Sequence, residues 1–322
     1  MEELVCAVLN NGVRIPAIGY AVTCDSMSDE LALRTALDSG FRFLDTDAGS
    51  GNEGQLGAVL QDYTKRFVPR EDLFVSTKVV QAHAHMKELS FQFRQSLHKL
   101  HLSAVDLLYL AIPPIKPHDY FMMNFDQTAN ENRSQLLNKR LKEWRLSETD
   151  LLSIQLSPYG QNDIRPEQKQ KELLEAWKAL ADLSNQGLAR SIGLANASLA
   201  EVKAVTEGSD VKPAVVQVHQ CELVRDSKLL QYCREQDIHL VVHLDTEGNI
   251  PGGFVPDNQR PSFKNKSTNQ VLGRFYLENN VSVVIHEKDP ARIQHAFKML
   301  DFSVSSEELS TLKSRRLVPN GF

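Results

Sequence analysis

The sequence predicts an α/β fold, a single (β/α)8 TIM barrel. Three observations carry this. Eight apolar runs of strand length recur along the chain, helical patterns lie between them, and most of the runs are continuously apolar rather than alternating. Strands buried on both faces read that way. A strand-then-helix unit repeated eight times closes a barrel. Periodicity alone does not separate a barrel from an open doubly wound sheet. No GxGxxG follows any strand, however, so the dinucleotide-binding open sheet lacks its main signal.

The elements follow in order. PAIGYAV (16–22) is the first run. A helix over 29–39 comes next, with Leu31, Leu33, Ala36 and Leu37 as its stripe and Gly40 as its stop. The second strand covers 42–47, and the helix 53–65 sets Leu56, Val59, Leu60 and Tyr63 on one face. LFVSTKVV (73–80) precedes a helix over 87–100, and VDLLYLAI (105–112) is the fourth strand. ARSIGLAN (189–196), AVVQVHQ (214–220), IHLVVHLD (238–245) and VSVVIHE (281–287) complete the set. Helices over 172–184, 198–206, 227–235, 268–277 and 290–299 alternate with them.

Two stretches exceed the ~2–6 residues usual for connections in α/β units. Residues 113–168 form an insertion after the fourth strand, and the polar stretch 248–270 follows the seventh. In a barrel both lie at the C-terminal face, where function sits. The insertion contains a helical pattern over 132–145. Leu136, Leu137, Leu141 and Trp144 line one side beside Arg133, Lys139, Arg140, Lys142 and Arg145. It reads as a helix packed on the barrel or as a docking element for a protein partner. The chain is thus one domain, 1–322, with 113–168 as a long loop within it.

Composition excludes several function classes. The 42% apolar and 24% charged fractions suit a folded chain, so disorder as the main state is excluded. A formal charge of −5 gives no global attraction to nucleic acid or an anionic membrane. No apolar run reaches the ~18 residues of a membrane span, and no basic-then-apolar leader opens the chain. Cys6, Cys24, Cys221 and Cys233 are scattered without a CxxC, which implies reduced thiols and a cytoplasmic location.

Many short blocks resemble the aldo-keto reductase family. LNNGVRIPAIG (9–19) is similar to its N-terminal hairpin and first strand, and LDTDAGSGNEGQLG (44–57), VPREDLFVSTK (68–78) and SLHKLHLSAVDLLYL (96–110) continue the likeness. GLARSIGLANAS (187–198), KPAVVQVHQ (212–220), KLLQYCREQDI (228–238) and DPARIQHAFKMLDFSVSSEELSTL (289–312) complete it. The resemblance implies NADPH-dependent carbonyl reduction. A tyrosine donates the proton, a lysine and an aspartate tune its acidity, and a histidine orients the carbonyl. The aspartate corresponds to Asp45 and the lysine to Lys78. The tyrosine of DTAxxYGNE falls on Ser50 and the histidine of LIHWP on Ala111. Serine is far less acidic than a phenol and alanine donates nothing, so losses of ~10²–10⁴ in rate are expected.

The implied cofactor site departs as well. Its serine–asparagine pair falls on Ala195-Asn196, its glutamine on Gln217 and its stacking tyrosine on His243. SPLG is replaced by LDTEG, which brings Asp245 and Glu247 toward phosphate. The basic residue for the 2′-phosphate falls near Glu287 or Lys288, Arg292 retains the later arginine, and a pocket tryptophan falls on Thr23. Weak or absent NADP(H) binding is therefore expected.

Two classes of function remain open. One is a pseudoenzyme: a barrel kept as a binding or regulatory module, with 113–168 as the partner surface. The other is an enzyme with a remodelled centre. His219, His243 and His286 stand near three strand ends on the face of Asp45, Asp47, Lys78 and Asp245. Such groups suit a divalent metal or acid–base work if they converge. A residual aldehyde or ketone reductase would need another tyrosine, Tyr20 or Tyr120, to reach the site. His83 and His85 fall on a loop of the same face.

Overall fold

The computed structural model describes residues 6–22, 27–80, 86–112, 166–225, 227–244, 249–250, 253–254, 263 and 266–319. The chain opens with an antiparallel hairpin, β1 (Cys6–Val8) paired with β2 (Arg14–Pro16). A closed barrel of eight parallel strands follows: β3 (Ile18–Ala21), β4 (Phe43–Asp45), β5 (Phe74–Val80), β6 (Val105–Ala111), β7 (Ala189–Ala195), β8 (Val215–His219), β9 (His239–Leu244) and, after the short hairpin β10 (Asn249–Ile250) and β11 (Gly253–Phe254), β12 (Ser282–Ile285). The barrel strands follow one another in chain order, and β12 closes onto β3 through Val283–Ile18 pairing. The (β/α)8 barrel read from the sequence is the fold observed.

Helices alternate with the strands much as their apolar stripes require. They are α1 (Met27–Ser39), α2 (Glu53–Arg66), α3 (Met86–Leu100), α4 (Pro166–Asn185), α5 (Leu199–Gly208), α6 (Gln220–Arg225), α7 (Ser227–Glu235), α8 (Thr268–Glu278), α9 (Pro290–Phe297) and α10 (Ser306–Ser314). Two of them, α6 and α10, are not distinct in the sequence pattern. α6 is too short to show a helical period. α4 starts six residues before the expected 172, inside the 113–168 insertion. The residues after Pro166, EQKQK (167–171), are polar and exposed, so no apolar stripe marks them. The rest of 113–168, with the helical pattern at 132–145, lies outside the described residues, as do Thr23, His83, His85, Tyr120, Asp245 and Glu247.

Helix starts are set by side-chain caps. Ser198 with Glu201, Ser267 with Gln270 and Ser305 with Glu308 form capping boxes, and Asp289 caps α9 ahead of Pro290. Gly40 ends α1 with φ +107°, a conformation few other residues adopt. Gly57 lets α2 lie against α3. A Cβ there would stand 2.2 Å from the Lys99 carbonyl oxygen.

The strands divide their side chains between two apolar regions. On each strand every second residue, such as Tyr20, Leu44, Val75, Leu108 and Leu110, packs outward under the helices, with Trp177 of α4. The alternate residues Phe43, Phe74, Leu107, Tyr109, Ala111, Val215, Val241 and Val284 fill the barrel interior. This two-residue period is what a pleated strand imposes. The N-terminal hairpin adds Leu9 and Ile15 to that interior cluster. Asn10 donates to the Pro213 carbonyl at 2.9 Å and Asn11 to Ser191 Oγ at 3.0 Å, tying the hairpin to the starts of β7 and β8. The hairpin therefore plugs the N-terminal end, and the opposite end is the mouth.

Two polar groups brace the lower barrel. Asp106 receives Arg70 at 2.7 Å, Arg190 at 2.9 Å and the Val75 N–H at 2.9 Å. His239 is buried with Nε2 2.8 Å from Ser282 Oγ. Burial lowers its pKa from 6.5 to about 4. A histidine held neutral in the fold contributes stability above its unfolded pKa, and the contribution is lost as pH falls from 6.5 toward about 4. The expected loss is about 3 kcal/mol. Denaturant titrations of wild type and His239→Gln between pH 7 and 4 should show the wild-type advantage shrinking over that window. A constant difference contradicts the assignment. Asp106→Ala should lower unfolding free energy by about 2 kcal/mol at pH 7, chiefly by stranding the buried Val75 N–H, because the partly exposed Arg70 and Arg190 stay solvated.

Candidate functional site at the barrel mouth

The mouth is organised by one ion pair. Lys78, near the end of β5, places Nζ 2.6 Å from Asp45 Oδ2 at the end of β4. The carboxylate is 3% exposed and the ammonium-bearing side chain 13%. Lys78 also donates to the Thr46 carbonyl at 3.1 Å. Ser76 donates to Asp45 Oδ1, and Gln217 of β8 donates across the barrel to Oδ2 at 3.1 Å. Each carboxylate oxygen thus has a partner, which a buried charge requires.

The loop after β4 continues the ladder beyond the assigned strand. Thr46 N–H donates to the Ser76 carbonyl and Ala48 N–H to that of Lys78. Thr46 Oγ1 donates to Asn52, whose amide in turn donates to the Val22 carbonyl. The loop then folds back on itself. Ser50 N–H donates to Asp47 Oδ1 at 2.7 Å, and Ser50 Oγ donates to the Asp47 carbonyl at 2.8 Å. Burial lifts the Asp47 carboxyl above its ordinary range, opposed by the Lys78 charge and the Ser50 and Gly49 N–H groups and reinforced by Asp45.

Three histidines complete the rim, and inward parity holds for all of them. His219 and His243 are register partners on β8 and β9, with ring centroids 5.1 Å apart. Burial pushes His243 well below its usual pKa, and the charges of His219, Lys78 and His286 press it further in that direction. His286 is lowered too, by burial first and then by Lys288. Both therefore stay neutral at pH 7. His243 Nδ1 and His286 Nε2 are buried without a hydrogen-bond partner among the described residues. Among those residues no three His, Cys, Asp or Glu side chains form a metal-ligating group. The three histidines share the mouth without assembling such a set.

Other expected site residues fall as follows. Ala111 is buried at the end of β6, facing inward. Asn196 follows β7 with φ +58°, a left-handed conformation that asparagine tolerates, and its N–H donates to the Gln217 carbonyl. Arg292 lies on α9 with Nη1 3.8 Å from Glu287 Oε2. The Glu287 carboxylate also accepts the Lys288 and Asp289 N–H groups, and Lys288 Nζ is 3.4 Å from Asp29. Cations that could meet a phosphate here already face the chain's own carboxylates.

Tyr20 does not reach the mouth. Its ring lies in the helix layer, edge-on to Phe41, and its hydroxyl donates to the Glu287 carbonyl at 2.7 Å. Residue parity sends it outward. Among the described tyrosines Tyr109 faces inward, and it is absent from the candidates drawn from sequence. A signal for it exists: Tyr109 stands two residues before Ala111 and so shares its face. Lys78 Nζ lies 5.5 Å from the Tyr109 ring centroid.

A family model described as the aldo/keto reductase family matches residues 23–248, more than half of the chain. The chain belongs to the aldo/keto reductase family. It is 24% identical over 324 residues to a Candida parapsilosis NADH-dependent D-xylose reductase, covering 94% of this chain and 90% of that protein. It is 26% identical over 322 residues to aldo-keto reductase family 1 member A1 of Gallus gallus, covering 95% and 87%. Among solved structures, the aldose reductase of Schistosoma japonicum superposes with a TM-score of 0.70 at 21% identity, covering 99% of this chain and 94% of that one. An aldo-keto reductase complexed with NADPH gives 0.70 at 22% identity, with 99% and 89% coverage.

The ion pair makes a direct prediction. Asp45→Ala strands the Lys78 ammonium and the donors of Ser76 and Gln217, and should cost about 3 kcal/mol of unfolding free energy in urea titration. A change below about 0.5 kcal/mol would place the pair among exposed, weakly contributing bridges instead.

Proposed function

We propose that this barrel is a member of its family in which NADPH-dependent carbonyl reduction is lost or strongly weakened, and that it serves as a binding or regulatory module. The observation that carries the reading is the state of position 50. Its hydroxyl is turned onto the Asp47 carbonyl, while Lys78 donates to Asp45 and Thr46. No phenol stands where the resemblance expects a proton donor, and Ala111 offers none to a carbonyl oxygen. The Lys78–Asp45 pair persists without the acid it would tune.

The cofactor corner supports the same reading. A dihydronicotinamide dinucleotide would supply hydride when bound. Asn196, Gln217 and His243 are the residues at the mouth that would meet its ring. The outer corner does not fit a 2′-phosphate. Asp29, Glu287 and Asp289 outnumber Lys288 and Arg292, and Glu287 holds the backbone N–H groups an anion would take. Weak or absent NADPH binding follows from that charge balance. The basic amphipathic pattern at 132–145 supports the 113–168 insertion as the surface for a protein partner.

The test is restoration. Ser50→Tyr combined with Ala111→His returns the donor and the orienting imidazole. At saturating NADH, which lacks the 2′-phosphate, aldehyde turnover should rise by about 100-fold or more over wild type. Turnover equal to wild type, with NADH bound, would sink the claim that these two positions limit the chemistry.

A further inference from the structure

The N-terminal end of the barrel, opposite the mouth, carries a recess of its own. A cleft of about 150 Å³ opens there between the hairpin strand β1 and the ends of α7 and α8. That is room for an organic molecule of about six heavy atoms. Its walls are apolar: Leu230 of α7, Leu240 of β9 and Val281 just before β12, with the exposed Val8 of β1 at the edge.

One polar ring stands among these walls. His239 lines the cleft and is 8% exposed. Its Nε2 is engaged by Ser282 Oγ at 2.8 Å. Its Nδ1 has no hydrogen-bond partner among the described residues, so Nδ1 is the nitrogen left to the cleft. A buried polar nitrogen ordinarily has a partner. Burial keeps the ring neutral at pH 7, so it repels neither sign of charge.

The charges at the rim select what can sit there. α7 ends at Glu235 and α8 at Glu278, both beside the cleft. A helix C-terminus carries about half a unit of negative charge. Arg234 and Asp237 add one side chain of each sign. The cleft is therefore about one unit negative. The chain's own cation follows that preference: Arg234 Nη2 donates to the Asn279 carbonyl, just past the end of α8, at 3.2 Å. A carboxylate would meet net repulsion here, and a neutral molecule would gain nothing from the charge. An ammonium gains from Asp237 and from both helix ends. It also selects the tautomer in which His239 Nε2–H donates to Ser282 and Nδ1 accepts.

We propose that this cleft binds a small primary alkylammonium ion, whose N–H groups meet His239 Nδ1 and the Asp237 carboxylate while its alkyl part lies on Leu230, Leu240 and Val281. The site is separate from the mouth and does not depend on the reading given to it.

The test is a titration of the full chain at pH 7.5 with isobutylammonium, isobutanol and isovalerate, followed through the methyl resonances of its leucines and valines. Isobutylammonium should shift Leu230, Leu240 and Val281 and saturate with a Kd at or below about 1 mM. The alcohol and the carboxylate should bind at least tenfold more weakly. Asp237→Asn removes the charge at a φ of +56° that asparagine tolerates, and should weaken the ion about fivefold or more. His239→Leu combined with Ser282→Ala removes the ring without stranding the serine, and should weaken it about tenfold. Should the double variant not fold, Asp237→Asn decides alone. Unchanged affinity in either folded variant puts the ion elsewhere and overturns the assignment. Isobutanol binding as tightly as the amine overturns it as well, and so does the absence of saturation up to about 10 mM.

Discussion

The mouth of this barrel depends on keeping two opposite charges out of water. Moving Asp45 and Lys78 into the interior costs more than their mutual attraction returns unless further hydrogen bonds complete the carboxylate. Ser76 on β5, Gln217 on β8 and the Thr46 carbonyl supply the remaining contacts. The arrangement therefore braces strands that are not neighbours. It also fixes register, because a slip of one residue in β5 would turn Lys78 toward the helices. The pair is present, while Ser50 and Ala111 stand where the resemblance expects a tyrosine and a histidine.

Several groups around the pair satisfy one another rather than facing an open space. Ser50 bonds within its own loop, and Ala111 leaves the end of β6 without a donor. His219 and His243 set their rings side by side at the rim, and burial beside Lys78 disfavours any positive charge on His243. On α9 the chain's own carboxylates face its cations. The mouth is consequently rich in neutral polar groups and poor in net positive charge.

The fold is legible from strand-length apolar runs because both faces of a barrel strand are buried, as the fully buried β6 shows. Pairing of Asp45 with Lys78 can be anticipated from the resemblance, since both lie near strand ends. Parity is harder. Continuous apolar runs conceal which residues face the axis, and for that reason Tyr20 is a candidate in the sequence and Tyr109 is not. Only the closed barrel, with Leu107, Tyr109 and Ala111 in one interior cluster, separates them. The cross-barrel bond from Gln217 to Asp45 is also invisible in the sequence, because 172 residues separate the two. α4 begins earlier than its pattern because its first turns are exposed and carry no apolar signal.

The decisive measurement is steady-state oxidation of NADPH and NADH by the purified wild-type chain with a panel of small aldehydes at neutral pH. Ordinary enzymes turn over at about 1–10³ per second, and loss of a proton donor removes a factor of about 10²–10⁴. With Ser50 and Ala111 in place, kcat should stay below about 0.1 per second for every aldehyde. A kcat of about 1 per second or more with any of them would show that the mouth still performs the family's reduction and would contradict its loss in this chain.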